Sequence, residues 1–286
     1  KFQFIDHHKQ SHQVQTLCQM FGVTVSGYYQ WKNRGKSTRE KENIFLLEKI
    51  KDTYEKNRCV YGSPRITRVL NRESISCSQP RVARLMRANG IVAKTQRKFK
   101  ATTNSNHTLP VAADLVGQAF GVDGPNKLWV GDITYIDTDE GWLYLAKVMD
   151  AYNREIIGWA VDKRMTKDLV IKAMDRAIRK RRPTESPIFH SDRGSQYASY
   201  AFRRLLVNNH IRQSMSGKGN CYDNAMAESF FKTLKTELIY QNKYQTRQEA
   251  KQDIFEYIEV FYNRQRLHSA LGYRTPIEYG ELQDVA

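Results

Sequence analysis

Leu128-Trp-Val-Gly-Asp-Ile-Thr-Tyr-Ile-Asp-Thr138 is a β-branched and aromatic run with an aspartate at its centre. Such composition predicts a strand. An acid inside an apolar strand is costly to bury unless a cation neutralises it. Asp137-Thr-Asp-Glu-Gly141 reads as a turn, Trp142 to Met149 as a second strand, and Glu155-Ile-Ile-Gly-Trp-Ala-Val161 as a third. Beyond these the pattern alternates. A helix is expected over Thr166 to Arg181, a short strand over Pro187 to Ser191, a helix over Tyr200 to Asn208 and a strand over Ile211-Arg-Gln-Ser214. A long helix then runs from about Asp223 to Glu237, and another from Thr246 to Tyr262. Three antiparallel strands followed by alternating helices and strands predict a mixed-sheet α/β domain.

Two further acids stand out. Asp192 lies in His190-Ser-Asp-Arg-Gly-Ser-Gln-Tyr197 and Glu228 in Asn224-Ala-Met-Ala-Glu-Ser-Phe-Phe231, with 35 residues between them. Together with Asp132 they suit a metal-dependent phosphoryl-transfer site. Mg²⁺ and Mn²⁺ take oxygen ligands, and two such ions about 3.5–4 Å apart can activate one oxygen and stabilise another. Asp150 also follows a strand, but Asp-x-x-Asn-Arg154 reads better as a hairpin turn and is left out of the metal set. Lys232 and Lys235 stand four and seven residues after Glu228, on the same helical face, either as ion-pair partners or as a hold on DNA. Gly217-Lys-Gly-Asn-Cys-Tyr222 reads as a mobile loop over the site.

The charge is divided unevenly. Residues 1–110 carry 21 Lys and Arg against 7 Asp and Glu, which leaves 25 against 23 for the rest. A basic module joined to a nearly neutral one points to a polyanionic partner such as nucleic acid. Within 1–37, Gln13 to Trp31 reads as helix, turn at Gly22, and helix, which is helix-turn-helix grammar. A second such module spans 38–93: a helix from about Glu42 to Glu55, one opened by Ser63 as cap with Pro64 at its first position, and one after Ser78 that ends at Asn89-Gly90. Arg81, Arg84 and Arg87 line one side of that last helix, opposite Val82, Leu85 and Met86, as a major-groove helix requires. With Arg65 and Arg68, and with Lys94, Arg97, Lys98 and Lys100 in a basic linker over 94–124, they form the expected DNA contacts. The catalytic domain is expected over 125–240 and a helical extension over 241–286.

Cys18, Cys59, Cys77 and Cys221 are scattered without a Cys-x-x-Cys pair, so neither a disulfide framework nor a zinc ribbon is indicated. No run approaches the ~20 apolar residues of a membrane span. A cytoplasmic, nucleoid-associated protein is expected.

Read in order, Trp-x-x-Asp-Ile-Thr-Tyr135, His190-Ser-Asp-Arg-Gly-Ser-Gln-Tyr197, Asn224-Ala-x-x-Glu-Ser-Phe-Phe231 and Tyr262-Asn-x-x-Arg-x-His-Ser-x-Leu-Gly-Tyr-x-Thr-Pro276 resemble the DDE transposases of bacterial insertion sequences. The likeness is to the second-reading-frame product of the insertion-sequence-three family, relatives of retroviral integrases, and it covers nearly the whole chain. It implies a ribonuclease-H-like core with Asp132, Asp192 and Glu228 as catalytic and metal-binding residues, and two Mg²⁺ or Mn²⁺ ions. It implies double-stranded DNA as partner, both the element's terminal inverted repeats and the target. A homo-oligomer assembled on DNA, and an upstream-frame product or its fusion carrying a further helix-turn-helix and a leucine zipper, are also implied. Cleavage would free a 3′-OH that attacks another phosphodiester, by a copy-and-paste route through a branched intermediate and a circle. Two alternatives stand beside this reading: a structure-specific nuclease of the same fold, and a DNA-binding repressor with a decayed catalytic domain.

Overall fold

A computed structural model describes residues 1–94, 111–117, 120–217 and 225–282. The chain opens with α1 (Phe2–His8), α2 (Val14–Met20) and α3 (Val25–Asn33), where Thr24 caps α3 by accepting from Gly27 N. α1 lies ahead of the helix-turn-helix pattern read over Gln13 to Trp31 and adds a helix to it. These three helices bury Ile5, Leu17, Cys18 and Tyr28 in a small core of their own.

The second helical unit comprises α4 (Thr38–Lys56), α5 (Ser63–Arg72) and α6 (Gln79–Ala88). Ser37 and Glu40 close a capping box at the start of α4, satisfying two otherwise orphaned N–H groups. The cap of α5 is Gly62, not Ser63, which lies one position inside the helix.

The sheet has the order β3-β2-β1-β4-β5. β1 (Leu128–Ile136), β2 (Leu143–Asp150) and β3 (Ile156–Asp162) form an antiparallel meander. β4 (Ile188–Ser191) and β5 (Arg212–Met215) add in parallel beside β1. That order and those directions make the ribonuclease-H-like core expected above, preceded by all-helical units.

Strand alternation sends Trp129 and Val148 to one face, against α7 (Lys167–Arg181) and α9 (Tyr200–Asn208), with the short α8 (Ser195–Ala198) beside them. Gly158 is required there. A Cβ would come within 2.2 Å of the Ala173 carbonyl oxygen in α7. Gly131 likewise yields to the Phe189 ring, which a Cβ would meet at 2.3 Å.

The opposite face, with Leu128, Val130 and Leu145, packs under α10 (Ala225–Glu237) and the C-terminal helices. α11 (Arg247–Phe255) opens on a Thr246–Glu249 capping box and passes into a π-helical turn over Glu256–Tyr262, where one α-helix was expected. The wider turn delivers Asn263 to β3, where its side chain accepts from Ile156 N at 2.9 Å and donates to Ile156 O at 3.0 Å. α12 (Pro276–Glu281) closes the described chain. The apolar cluster on this face continues without a break into α4, α5 and α6 through Leu46, Ile66 and Val82.

Candidate active site

Asp132 stands at the middle of β1, on the face that α10 covers. Its carboxylate accepts from Ile133 N at 2.8 Å. Burial lifts its pKa above the usual carboxylate range, and the charge of Asp192 lifts it further. Lys147 opposes that rise, and Glu228 adds to it. Two acids from two other elements therefore act on Asp132 of the central strand: Asp192 in the loop after β4 and Glu228 in the first turn of α10.

Asp192 follows β4 directly, and its Oδ1 accepts from Gly194 N at 3.0 Å. Arg193, next in sequence, donates to the Ser216 carbonyl at 2.6 Å and holds the loop to the end of β5. His190, just before, lies buried with Nδ1 2.9 Å from Ser214 Oγ. The His-Ser-Asp-Arg motif thus pins the loop from both sides. Glu228 is exposed on α10, and partial burial of its carboxyl raises its pKa. Among the described residues no three His, Cys, Asp or Glu side chains already stand in position to hold a metal. An exposed glutamate in a helix's first turn can reorient toward Asp132 without moving the backbone.

Sequence reasoning missed two groups here. Lys147 is the cross-strand partner of Asp132 and only 1% exposed. Its Nζ has no hydrogen-bond partner among the described residues and lies 5.9 and 5.8 Å from the ring centroids of Phe230 and Phe231. Burial lowers its pKa, and Asp132 pulls it back up. Tyr197 is the second: its hydroxyl is buried without a hydrogen-bond partner among the described residues, and the charges of Asp132 and Asp192 act on it. Only the strand register and the packing of α8 reveal these neighbours. Two hard carboxylates, on and just after neighbouring strands, one destabilised by the charge of the other, form a donor pair that fits a divalent cation.

Asp150 is structural, as its turn motif indicated. It accepts from Asn126 N at 2.9 Å and Tyr152 N at 3.1 Å, fully buried.

The cationic residues divide. Lys232 is exposed, but Lys235 is 5% exposed and stands 4.6 Å from the Tyr135 ring centroid. Lys235 is thus corrected from a surface contact to a buried one, because the end of α10 sits deeper against the sheet than its start. Arg65 is half-buried. It donates Nε to the Leu267 carbonyl at 2.9 Å, because the C-terminal stretch packs over α5. Arg68 remains exposed, with its guanidinium 5.1 Å from the Tyr273 ring. Arg81 is turned inward to Asn43 at 2.9 Å and Glu42 at 3.0 Å, both in α4. Arg84 and Arg87 stay exposed on α6. Lys94 is half-buried and bonds through its backbone to the Cys59 carbonyl. Arg97, Lys98 and Lys100 lie outside the described residues, as does most of the loop expected over 217–222.

Comparison with known proteins adds an independent line. The integrase core domain family matches residues 122–221, a second integrase core domain family matches 228–283, and an HTH-like domain family matches 40–99. The insertion element IS600 31 kDa protein of Shigella sonnei is 46% identical over 265 residues, covering 93% of this chain and 97% of that protein. Transposase InsF for insertion sequence IS3A of Escherichia coli strain K12 is 38% identical over 281 residues, covering 98% of each. Among solved structures, the HTLV-2 integrase catalytic core domain in complex with magnesium is similar, with TM-score 0.42 and 18% identity, over 55% of this chain and 98% of that one.

Proposed function

This chain belongs to the transposases of the IS3 family of insertion sequences, and from that premise we propose that Asp132, Asp192 and Glu228 form one metal-dependent centre that cleaves DNA at the element's ends and joins the freed 3′-OH to another phosphodiester. The observation that carries the reading is placement: Asp132 lies on the central strand β1, Asp192 directly follows the neighbouring parallel strand β4, and Glu228 sits in the first turn of α10 on the same face, and the charges of Asp192 and Glu228 both raise the pKa of Asp132. Two divalent ions, Mg²⁺ or Mn²⁺, would supply activation of the attacking oxygen and neutralisation of the leaving one when bound. Asp132 and Asp192 would hold them from the rigid sheet, and Glu228 would complete the set from α10. Arg68, Arg84, Arg87 and Lys232, exposed on the helical unit and on α10, are cations presented to double-stranded DNA. No covalent enzyme intermediate is needed, because water and then the DNA hydroxyl serve as nucleophiles.

A nuclease of the same fold would hydrolyse but not join. The distinguishing experiment supplies a pre-cleaved end bearing either 3′-OH or 3′-H. Joined product from the first and none from the second supports transfer. Hydrolysis of added duplex with no joined product from either end would return the protein to the nuclease class. Assembly of several copies on DNA belongs to the same proposal, as does cytoplasmic action at the nucleoid. Among the described residues no helix is long and apolar enough to cross a membrane.

A further inference from the structure

Behind α10, on the side away from Glu228, the chain forms a small polar cavity of about 130 Å³ that opens to solvent. Four parts of the sequence meet there: Arg65 from α5, Arg154 from the β2–β3 turn, Ser229 and Thr233 from α10, and Arg266 with His268 from the C-terminal stretch.

The charges in this cavity do not balance. Arg266 is satisfied, with Nε 2.8 Å from Glu237 Oε2 and Nη2 2.6 Å from Oε1. Tyr257 donates to the same carboxylate at 2.7 Å, so Glu237 is fully committed. His268 brings no negative charge. Its Nε2 is 3.4 Å from Arg266 Nη1, and burial with the guanidiniums of Arg266, Arg65 and Arg154 holds its pKa far below the usual imidazole range. Among the described residues Arg65 donates one hydrogen bond, from Nε to the Leu267 carbonyl, lies 5.5 Å from the Tyr61 ring centroid and forms no ion pair. Arg154 forms neither an ion pair nor a side-chain hydrogen bond among the described residues. Thr233 gives its hydroxyl proton to Ser229 O at 2.9 Å, which leaves Ser229 as the hydroxyl donor on α10.

We propose that this cavity binds one backbone phosphate of the DNA end, with Arg154 and Arg65 supplying the charge and Ser229 a neutral donor. The assignment deepens the proposed function and rests on it. A guanidinium fork matches phosphate oxygens in geometry as well as charge. The volume suits a single phosphate group and is well short of the ~300 Å³ at which pockets for larger ligands begin. Ser229 adjoins Glu228, and the two flank one helix about 10 Å across, so the bound phosphate lies within a few nucleotides of the scissile one at ~3.4 Å of rise each. The phosphate joins Arg65 of the helical unit to the helix that carries Glu228. Seating the correct end therefore sets the position of α10, where an error of about 1 Å costs on the order of a hundredfold in rate.

The test uses the full chain. In an Asp132→Asn background, which removes turnover, Arg154→Gln is expected to lower the slope of log K against log salt for end DNA by about 0.9, the value of one phosphate, while Arg154→Lys restores it. In the active protein, Arg154→Gln lowers joining of a pre-cleaved end at least tenfold. A methylphosphonate scan of that end should reveal one position whose neutralisation weakens wild type about tenfold and Arg154→Gln hardly at all. If Arg154→Gln fails to fold, Ser229→Ala, at an exposed position, is read by the same scan, with a two- to fivefold loss at that position. An unchanged slope with unchanged joining overturns the phosphate site and leaves the transposase reading intact. Absence of joining by wild type, with the slope difference present, overturns the function and keeps the site. A thermal shift by inorganic phosphate that depends on Arg154, without any effect on DNA, assigns the cavity to a free ion and overturns the DNA assignment.

Discussion

Lys147 shows how a single side chain shapes the proposed centre. An ammonium across the strand from Asp132 occupies the electrostatic role that a divalent ion would take, so the two compete. Lys147→Met is therefore expected to tighten Mn²⁺ binding by about threefold or more in a calorimetric titration. It should leave the thermal midpoint level or higher, since an apolar residue of similar volume in place of a buried charge is often stabilising. Weaker Mn²⁺ binding would instead make Lys147 a support for the ligands. His268 gives a pH dependence. Its folded pKa lies below the unfolded value of about 6.5, so its contribution to stability is complete above that value and is lost as the pH falls. Between pH 7 and pH 5, in phosphate-free buffer, wild type should lose about 2 kcal/mol more than His268→Gln by urea unfolding. Equal losses would show that the imidazole is protonated in the folded chain. The three proposed acids could be singled out in the sequence because each sits in a distinctive motif. Lys147 and Tyr197 were not, because a lysine in a strand reveals neither its register nor what lies across from it.

At the level of elements, the tie between α10 and the C-terminal stretch is the Arg266–Glu237 pair, 6% and 7% exposed and joined by two hydrogen bonds. Arg266→Met strands the carboxylate and should cost about 3–5 kcal/mol, whereas Glu237→Leu combined with Arg266→Met should recover most of it. Chemical denaturation of the three proteins measures this, and additive losses in the double variant would deny the coupling. Elements of long period and clear composition, such as β1 to β3 and α7, were readable within a residue or two. The inward turn of Arg65 and Arg81 was not. Helical periodicity says which residues share a face, but not that α4 or the C-terminal stretch will cover it. The π-helical turn after α11 was likewise hidden, since it answers to the bonds of Asn263 with β3 rather than to local propensity.

Across the whole molecule, the second helical unit shares its core with the catalytic domain. Tyr61 accepts from Leu267 N at 2.8 Å and donates to the Gln265 carbonyl at 3.1 Å, and Arg58 lies over Tyr257 and Phe261 while pairing with Glu256. α1 to α3 keep a separate, small core. Hydrogen exchange should therefore show α4 to α6 protected to the same free energy as β1 and β2, and α1 to α3 opening several kcal/mol earlier. Protection of α4 to α6 no greater than that of α1 to α3 would contradict the shared core. The charge division along the chain was visible in the composition, but this continuity was not, because it joins residues some 200 positions apart. The central claim concerns the three carboxylates and is tested by single-turnover cleavage and joining of end DNA by Asp132→Asn, Asp192→Asn and Glu228→Gln, with DNA binding measured on the same samples. Each variant is expected to bind ends within about threefold of wild type and to lose both chemical steps by at least a hundredfold, while Asp150→Asn, though less stable, retains them. Near-normal joining by any one of the three would remove that residue from the site and contradict the account.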